Sequence, residues 1–553
     1  MKFFACIAVL LLAAAPSGYS IDLARYFADS AAEGRARAAV EHDTGALVAS
    51  PPPATAAALV RWLRAYDDLL RRAHRHDAYL YLASERDDTD VADSRADDAI
   101  GALLHRLDNA LVSVAQRLGD AGIARMARDP AVAPYAYLLR SARSRSAHRL
   151  GAAESRAVDA AVTPVLRADA AAYAALRKSA EPSASNQDAY AALLISIVTA
   201  DDGVARLRGF AGAPDAAYFD RSIPSTLPRI LDAVRASKAN AEYRRVAARA
   251  PNPAFSPAPM PIDAAVPVIL SAERTMGEEY AHAYEALLDP SARRLEICTA
   301  EHCDRTGFSV GFSHVESAAF FGGYNGTLAE VRAVAHESGH AVHRAFMSAH
   351  QPIAAYNTGP HYLFESFAIF NELLFIDHLA QTAADDRARA YYLNYFLRDA
   401  TFQVFGSAEE TELESAIDRG IADRTIRTAS GLDEITSTIA ARYDPSAQHD
   451  PQAALAWARN RLFYTDPQYD VNYLYAGLLA LRYFAAFERD PHSFPPRYVA
   501  LLENGFTDTP ENLERRFLGI DLDDPAGLVA GATAMIDERT HRLERLSPPA
   551  PPE

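Results

Sequence analysis

The chain has 553 residues, too many for one hydrophobic core, so two or more packed lobes are expected. Its formal net charge is −17, and lysine occurs only at Lys2, Lys178 and Lys238. An acidic body argues against nucleic acid or an anionic membrane surface as the main partner, and the chain carries no internal repeat, phosphate-binding glycine loop or basic aromatic patch.

At the N-terminus, Met1-Lys2 precedes an apolar run from Phe3 to Ala15 and then small residues up to Ser20. That run is too short to span a bilayer, so residues 1–20 read as a signal peptide cut after Ser20. The mature protein is expected to be periplasmic or secreted, with no membrane span. Residues 21–185 carry helical patterns broken at Pro51-Pro52-Pro53 and at Glu181-Pro182-Ser183, which predicts an N-terminal helical lobe. A second unit is expected over 186–546, with a Pro-rich extended loop ending near Pro261 and helices dominant from about 265 onward. Residues 547–553, rich in proline, read as a disordered tail.

Cys298 and Cys303 are the two cysteines left once the signal is removed, and in an oxidising compartment they predict a disulfide. A second zinc site using His302 is the weaker alternative, because so tight a loop lacks a clear fourth ligand. A short strand region follows around 307–324, and Asn325-Gly326 marks a turn. Thr327 with Glu330 three residues on forms a capping box that starts a helix. Leu328, Val331, Val334, Ala335, Val342 and Phe346 supply its apolar stripe.

On that helix lies His336-Glu337-Ser338-Gly339-His340. Positions i and i+4 of a helix share a face, so two imidazoles can converge on one zinc ion. Glu337 can then act as general base on a metal-activated water. A five-residue match of this kind arises by accident in roughly a few per cent of chains this long, so it needs support from elsewhere. A hydrolytic zinc takes three protein ligands, and one helix cannot wrap the ion. The apolar segment Phe364 to Leu374 offers Glu365, which would be costly to bury unless something paired with it. His343, at i+3 from His340, is the rival, but no glycine after His340 lets the chain bend back to the metal. It is placed behind the metal ligands or in the core.

These segments resemble the M3 metallopeptidases, and within them the oligoendopeptidase F group. The resemblance runs through Arg208-Gly209-Phe210, Met276-Gly277-Glu278-Glu279-Tyr280, Gly311-Phe312 and Asn325 to Leu328. It continues through His336 to His343, Glu365 to Ala368 and Asn371-Glu372. It implies one zinc per chain held by His336, His340 and Glu365, with Glu337 as base. The implied fold is mostly α, two-lobed, with a short strand region before the zinc helix and a deep central channel that admits oligopeptides. Family members place a histidine and several tyrosines in a stretch that matches Phe463 to Gly477. Tyr469 and Tyr473 match that pattern and are expected to donate hydrogen bonds to the oxyanion. The histidine is absent here; by register Tyr464 takes its place, and Tyr475 stands one position from where a further tyrosine belongs. A phenol cannot become a cation near neutral pH, so any role that needs imidazolium would be lost. Glu372, His343, Tyr464 and Tyr475 are therefore expected around the site without an assigned role.

The function expected is an exported, monomeric zinc endopeptidase of short peptides. Two alternatives remain open at this level: a dipeptidyl carboxypeptidase on the same fold, and a peptide- or metal-binding protein whose catalysis has weakened.

Overall fold

In the computed structural model, which describes residues 18–546 apart from 88, 90 and 250–254, helices make up most of the regular structure. Most of the expected signal peptide and all of the expected tail lie outside the described residues. Among the described residues no helix is long and apolar enough to cross a membrane.

The N-terminal part stacks the helices Ser30–Ala49, Ala56–Arg86, Val91–Met126 and Ala136–Arg145. The second of these starts where Thr55 accepts from the Ala58 amide, and it buries Leu59, Leu63, Tyr66, Leu70 and Ala73 at helical spacing. Among the described residues one sheet interrupts the helices. Its strands are β1 (Leu295–Cys298), β2 (Gly307–Phe312) and β3 (Val315–Gly322), in the order β1-β3-β2. β1 runs parallel to β3, pairing Leu295 with Ala319, and β2 runs antiparallel, pairing Gly307 with Phe321. The β2 register breaks between Val310 and Phe312, where Gly311 has φ +138° and an added Cβ would meet Ser317 at 2.7 Å.

β3 is buried on both faces, and its alternation assigns each face to a different core. Ala318 and Phe320 pack with Phe308, Val310, Phe312 and the N-terminal helices. Ala319 and Phe321 pack with Leu295, Ile297 and the long C-terminal helices. The sheet is thus a shared wall between two cores. A third core joins Tyr173, Tyr190 and Leu194 to Ile417, Leu432, Trp457 and Tyr464. Tyr173 and Tyr190, on either side of the expected boundary at 185, meet with ring centroids 5.9 Å apart.

Candidate active site

The helix Leu328–His350 begins as its sequence predicts. Thr327 accepts from the Glu330 amide at 3.3 Å, and the Glu330 carboxylate accepts from the Thr327 amide at 2.9 Å. Helical periodicity then brings the rings of His336 and His340 edge to face, centroids 4.8 Å apart. Gly359-Pro360 breaks the chain before the next helix, His361–Thr382, which is buried nearly all round. The two helices touch at Gly339, where an added Cβ would lie 2.4 Å from Asn371 Nδ2 and 3.3 Å from Ala368 Cα. Asn371 is itself fixed: it accepts from Tyr280 at 2.8 Å and donates to the Phe367 carbonyl at 2.8 Å.

This contact delivers Glu365 to the imidazoles. Its Oε2 lies 3.3 Å from His336 Nε2 and 3.7 Å from His340 Nε2, and the candidate ligand atoms of the three residues all lie within 4.8 Å of one another. Glu365 Oε2 is buried without a hydrogen-bond partner, and it points between two ring nitrogens. Two imidazoles and one carboxylate are the donor set of a catalytic zinc site, so these residues fit that ion. Burial opposes charge on both Glu365 and His336. The closeness of opposite charges outweighs it: the two imidazoles hold the Glu365 carboxyl well below the usual range, and Glu365 and Glu372 hold His336 well above its own.

His336 is held from behind. Its Nδ1 lies 2.5 Å from Glu372 Oε1, while Arg332 donates to the other Glu372 oxygen at 2.5 Å and stands 3.3 Å from Asp399. A proton on Nδ1 facing this carboxylate leaves the Nε2 lone pair free to bind a metal. Glu337 sits beside the triad, its Oε1 4.0 Å from His336 Nε2, and lines a cavity of about 610 Å³ with His336, His340, Glu365 and Tyr473.

Tyr469 donates to Glu365 Oε1 at 2.9 Å, and the Tyr473 ring meets it edge to face at 5.3 Å. Burial, and then the Glu365 charge, push both phenols upward, so they remain protonated donors. Tyr469 precedes the helix Asp470–Arg489, and Gln468 before it has φ +60°, a left-handed conformation that a side chain disfavours. The strain is held by the helix Ser407–Ala422: the Gln468 amide donates to Glu414 at 2.7 Å and its side chain donates to Asp418 at 3.0 Å. Arg221 donates to Asp466 and to the Pro467 carbonyl, and its guanidinium lies 5.3 Å from the Tyr469 ring centre.

Other expected residues lie elsewhere. Tyr464 is buried in the third core, stacked on Tyr173 at 4.1 Å, and does not line the cavity. Tyr475 is fully buried against Tyr362. His343 lies among Phe364, Phe367 and Phe506, where burial pushes its imidazole well below the usual range. Cys298, the last residue of β1, is bridged to Cys303 in the loop that leads to β2, with Cys303 Sγ 3.3 Å from where a Cβ on Gly322 would stand.

Two cavity residues carried no signal in the sequence reading. His361, one turn before Glu365, sits edge to face with Tyr469 at 5.9 Å. With His74, Phe312, Thr358 and Gly359 it separates the first cavity from a neighbour of about 660 Å³. Arg344, one turn after His340, lies over the Phe364 ring at 5.2 Å. The i+4 spacing from His340 would have found Arg344, had polar residues on the zinc face been followed past the motif.

Residues 304–530 match the profile of Peptidase family M3. An oligoendopeptidase F homolog of Lactococcus lactis subsp. lactis (strain IL1403) is 26% identical over 246 residues, 44% of this chain and 40% of that protein. The chromosomal oligoendopeptidase F of Lactococcus lactis subsp. cremoris is 27% identical over 189 residues, 34% of this chain and 31% of that one. The chain therefore aligns with less than half the length of either relative. The fold is shared more widely. A solved structure from Chlamydophila abortus has a TM-score of 0.75 at 19% identity, covering 96% of this chain and 98% of that one. An oligoendopeptidase-F from Enterococcus faecium has a TM-score of 0.63 at 17% identity, covering 92% and 97%.

Proposed function

From the match of residues 304–530 to peptidase family M3, we propose that the chain is a zinc-dependent endopeptidase of that family acting on short peptides. The observation that carries the proposal is the convergence of His336, His340 and the unpartnered Glu365 oxygen beside Glu337, on the wall of an open cavity. His336, His340 and Glu365 would hold the ion, with Glu372 and Arg332 fixing the His336 ring. Zinc bound there supplies Lewis acidity toward water and toward the scissile carbonyl. Glu337 takes the proton from the attacking water and passes it to the leaving amine. Tyr473, which lines the cavity, donates its phenol hydrogen to the oxygen on which negative charge develops, and Tyr469 can do so in its place only by releasing Glu365 Oε1.

We propose further that the protein is exported, on the strength of the charged start and apolar run at residues 1–15. Tyr19 is buried and its carbonyl accepts from Ile297 at the sheet edge, so a cut after Ser20 would remove packed structure. A cut before Tyr19 keeps it.

The test is cleavage of a pool of unrelated peptides about ten residues long, read by mass spectrometry beside the Glu337→Gln and Glu365→Ala variants. Internal cuts are expected from the unmodified protein. Glu337→Gln should keep its zinc and lose cleavage by more than a thousandfold, and Glu365→Ala should lose the zinc. Full cleavage by Glu337→Gln, or unchanged zinc content in Glu365→Ala, would reject these roles.

A further inference from the structure

Arg344 is the basic side chain of the zinc helix that reaches the cavity wall. It lies four residues beyond His340, so its Cα is about 6 Å farther along the same helical face. A guanidinium carries five donors in a planar fork. Here Nη1 donates to the Gly311 carbonyl at 3.2 Å, while Nε is buried with no partner. Among the described residues no ion pair joins Arg344 to a carboxylate, whereas Arg332 pairs with Glu372, Arg221 with Asp466 and Arg145 with Asp108. Burial weighs against the Arg344 charge, and Glu337 and Asp77, which face the same cavity, offset that only in part without meeting the guanidinium.

A guanidinium held in this way is matched by a carboxylate, which accepts two of its donors at once. Its seat is also fixed. The Phe364 ring lies beneath it, and the Gly311 carbonyl that holds it belongs to the β2 bulge. A peptide with its scissile bond at the His336–His340–Glu365 cluster would carry groups past Arg344 within roughly two or three residues of that bond, at about 3.3 Å per extended residue. We propose that Arg344 forms a carboxylate-binding subsite, occupied either by the C-terminal carboxylate of a short peptide or by an aspartate or glutamate side chain near the cut. This rests on the reading that the cavity binds peptides. The two sources have different consequences. A C-terminal occupant would turn the enzyme toward removing short C-terminal fragments, and a side-chain occupant would give an endopeptidase a preference for acidic peptides.

The experiment measures binding without turnover, using Glu337→Gln with and without Arg344→Gln or Arg344→Lys, loaded with zinc. The probes are three eight-residue peptides. One has a free C-terminus and no acidic side chain, the second is its amide, and the third is the amide with glutamates introduced through the middle. Arg344→Gln should weaken at least one carboxylate-bearing peptide by tenfold or more beyond its effect on the neutral amide, and Arg344→Lys should recover part of that loss. Loss confined to the first peptide identifies the C-terminus as occupant; loss confined to the third identifies a side chain. Equal effects on all three peptides, or no binding of any, would overturn the subsite. Cleavage of the neutral amide by the unmodified protein is scored separately. Cleavage without carboxylate discrimination overturns the subsite alone, whereas Arg344-dependent binding without any cleavage upholds the subsite and overturns the peptidase reading.

Discussion

Tyr469 meets Glu365 because the residue before it is held in an unfavourable conformation, and that hold can be dismantled in two ways with different outcomes. Gln468 is 2% exposed at φ +60°. Its side chain donates to Asp418, which burial pushes up to about 8, so the carboxyl there is mostly neutral near pH 7. Gln468→Ala removes that donor and leaves a buried oxygen unsatisfied, at about 1–3 kcal/mol. Alanine also keeps the left-handed penalty. Gln468→Gly loses the same hydrogen bond but relieves about 1 kcal/mol of backbone strain. Stability in urea, followed by tyrosine and tryptophan fluorescence, should therefore rank wild type above glycine and glycine above alanine. Turnover should not follow that ranking. Both variants loosen the Tyr469 phenol, and a misplacement of about 1 Å lowers kcat by roughly a hundredfold. KM should move much less, and zinc content should be unchanged because no metal ligand is touched. A glycine variant no more stable than alanine, or either variant with kcat within twofold of wild type, would refute the claim that Gln468 positions the tyrosine.

Three further outcomes are expected. Glu372→Ala should weaken zinc binding by about 10- to 100-fold, measured by competition with a chromogenic chelator, because the His336 ring loses the carboxylate that orients it. Glu273 is fully buried with neither carboxylate oxygen partnered, and burial raises its carboxyl well above the usual range. The folded state thus holds a proton that the unfolded chain releases above about pH 4.5, and stability falls as pH rises from there. Glu273→Gln should remove up to about 1.4 kcal/mol per pH unit from that slope between pH 5 and 7, read by urea unfolding at each pH. Intact-mass analysis of exported protein should find Tyr19 retained at or near the new N-terminus, since its ring and carbonyl are built into the sheet edge.

The geometry of the candidate site was legible where it depended on short-range spacing. Thr327 with Glu330, and His336 with His340, are relations across one helical turn, and turn geometry does not depend on the rest of the protein. Glu365 was legible for another reason, because a charge on so apolar a helix demands a partner. Register arguments fared less well. Tyr464 and Tyr469 are five residues apart, but between them the chain leaves helix at Asp466 and passes through left-handed Gln468. That break turns Tyr464 into the Tyr173 and Tyr190 stack, away from the cavity. β1 escaped notice because it is only four residues long and pairs with a strand more than twenty residues later. The prolines near 185 mark a loop, and Tyr173 and Tyr190 on either side of it share one core.

What the spacing could not convey is how tightly the helices must approach for these residues to meet. The motif needs histidine at 336 and 340, glutamate at 337, and says nothing about position 339. Yet an added Cβ on Gly339 would stand 2.4 Å from Asn371 Nδ2, an amide pinned at both ends by Tyr280 and Phe367. The same closeness recurs where the tyrosine-bearing helix crosses its neighbour: a Cβ on Gly477 would meet Gln403 Cβ at 2.6 Å. The two glycines therefore set the spacing of the helices that carry His336, Glu365 and Tyr473. A methyl at either would push a ligand-bearing or donor-bearing helix outward by a few tenths of an ångström or more. Glu365 Oε2, 3.3 and 3.7 Å from the two ring nitrogens, leaves little slack for such a shift. The site's precision thus resides in residues with no side chain, which a search for chemical groups passes over.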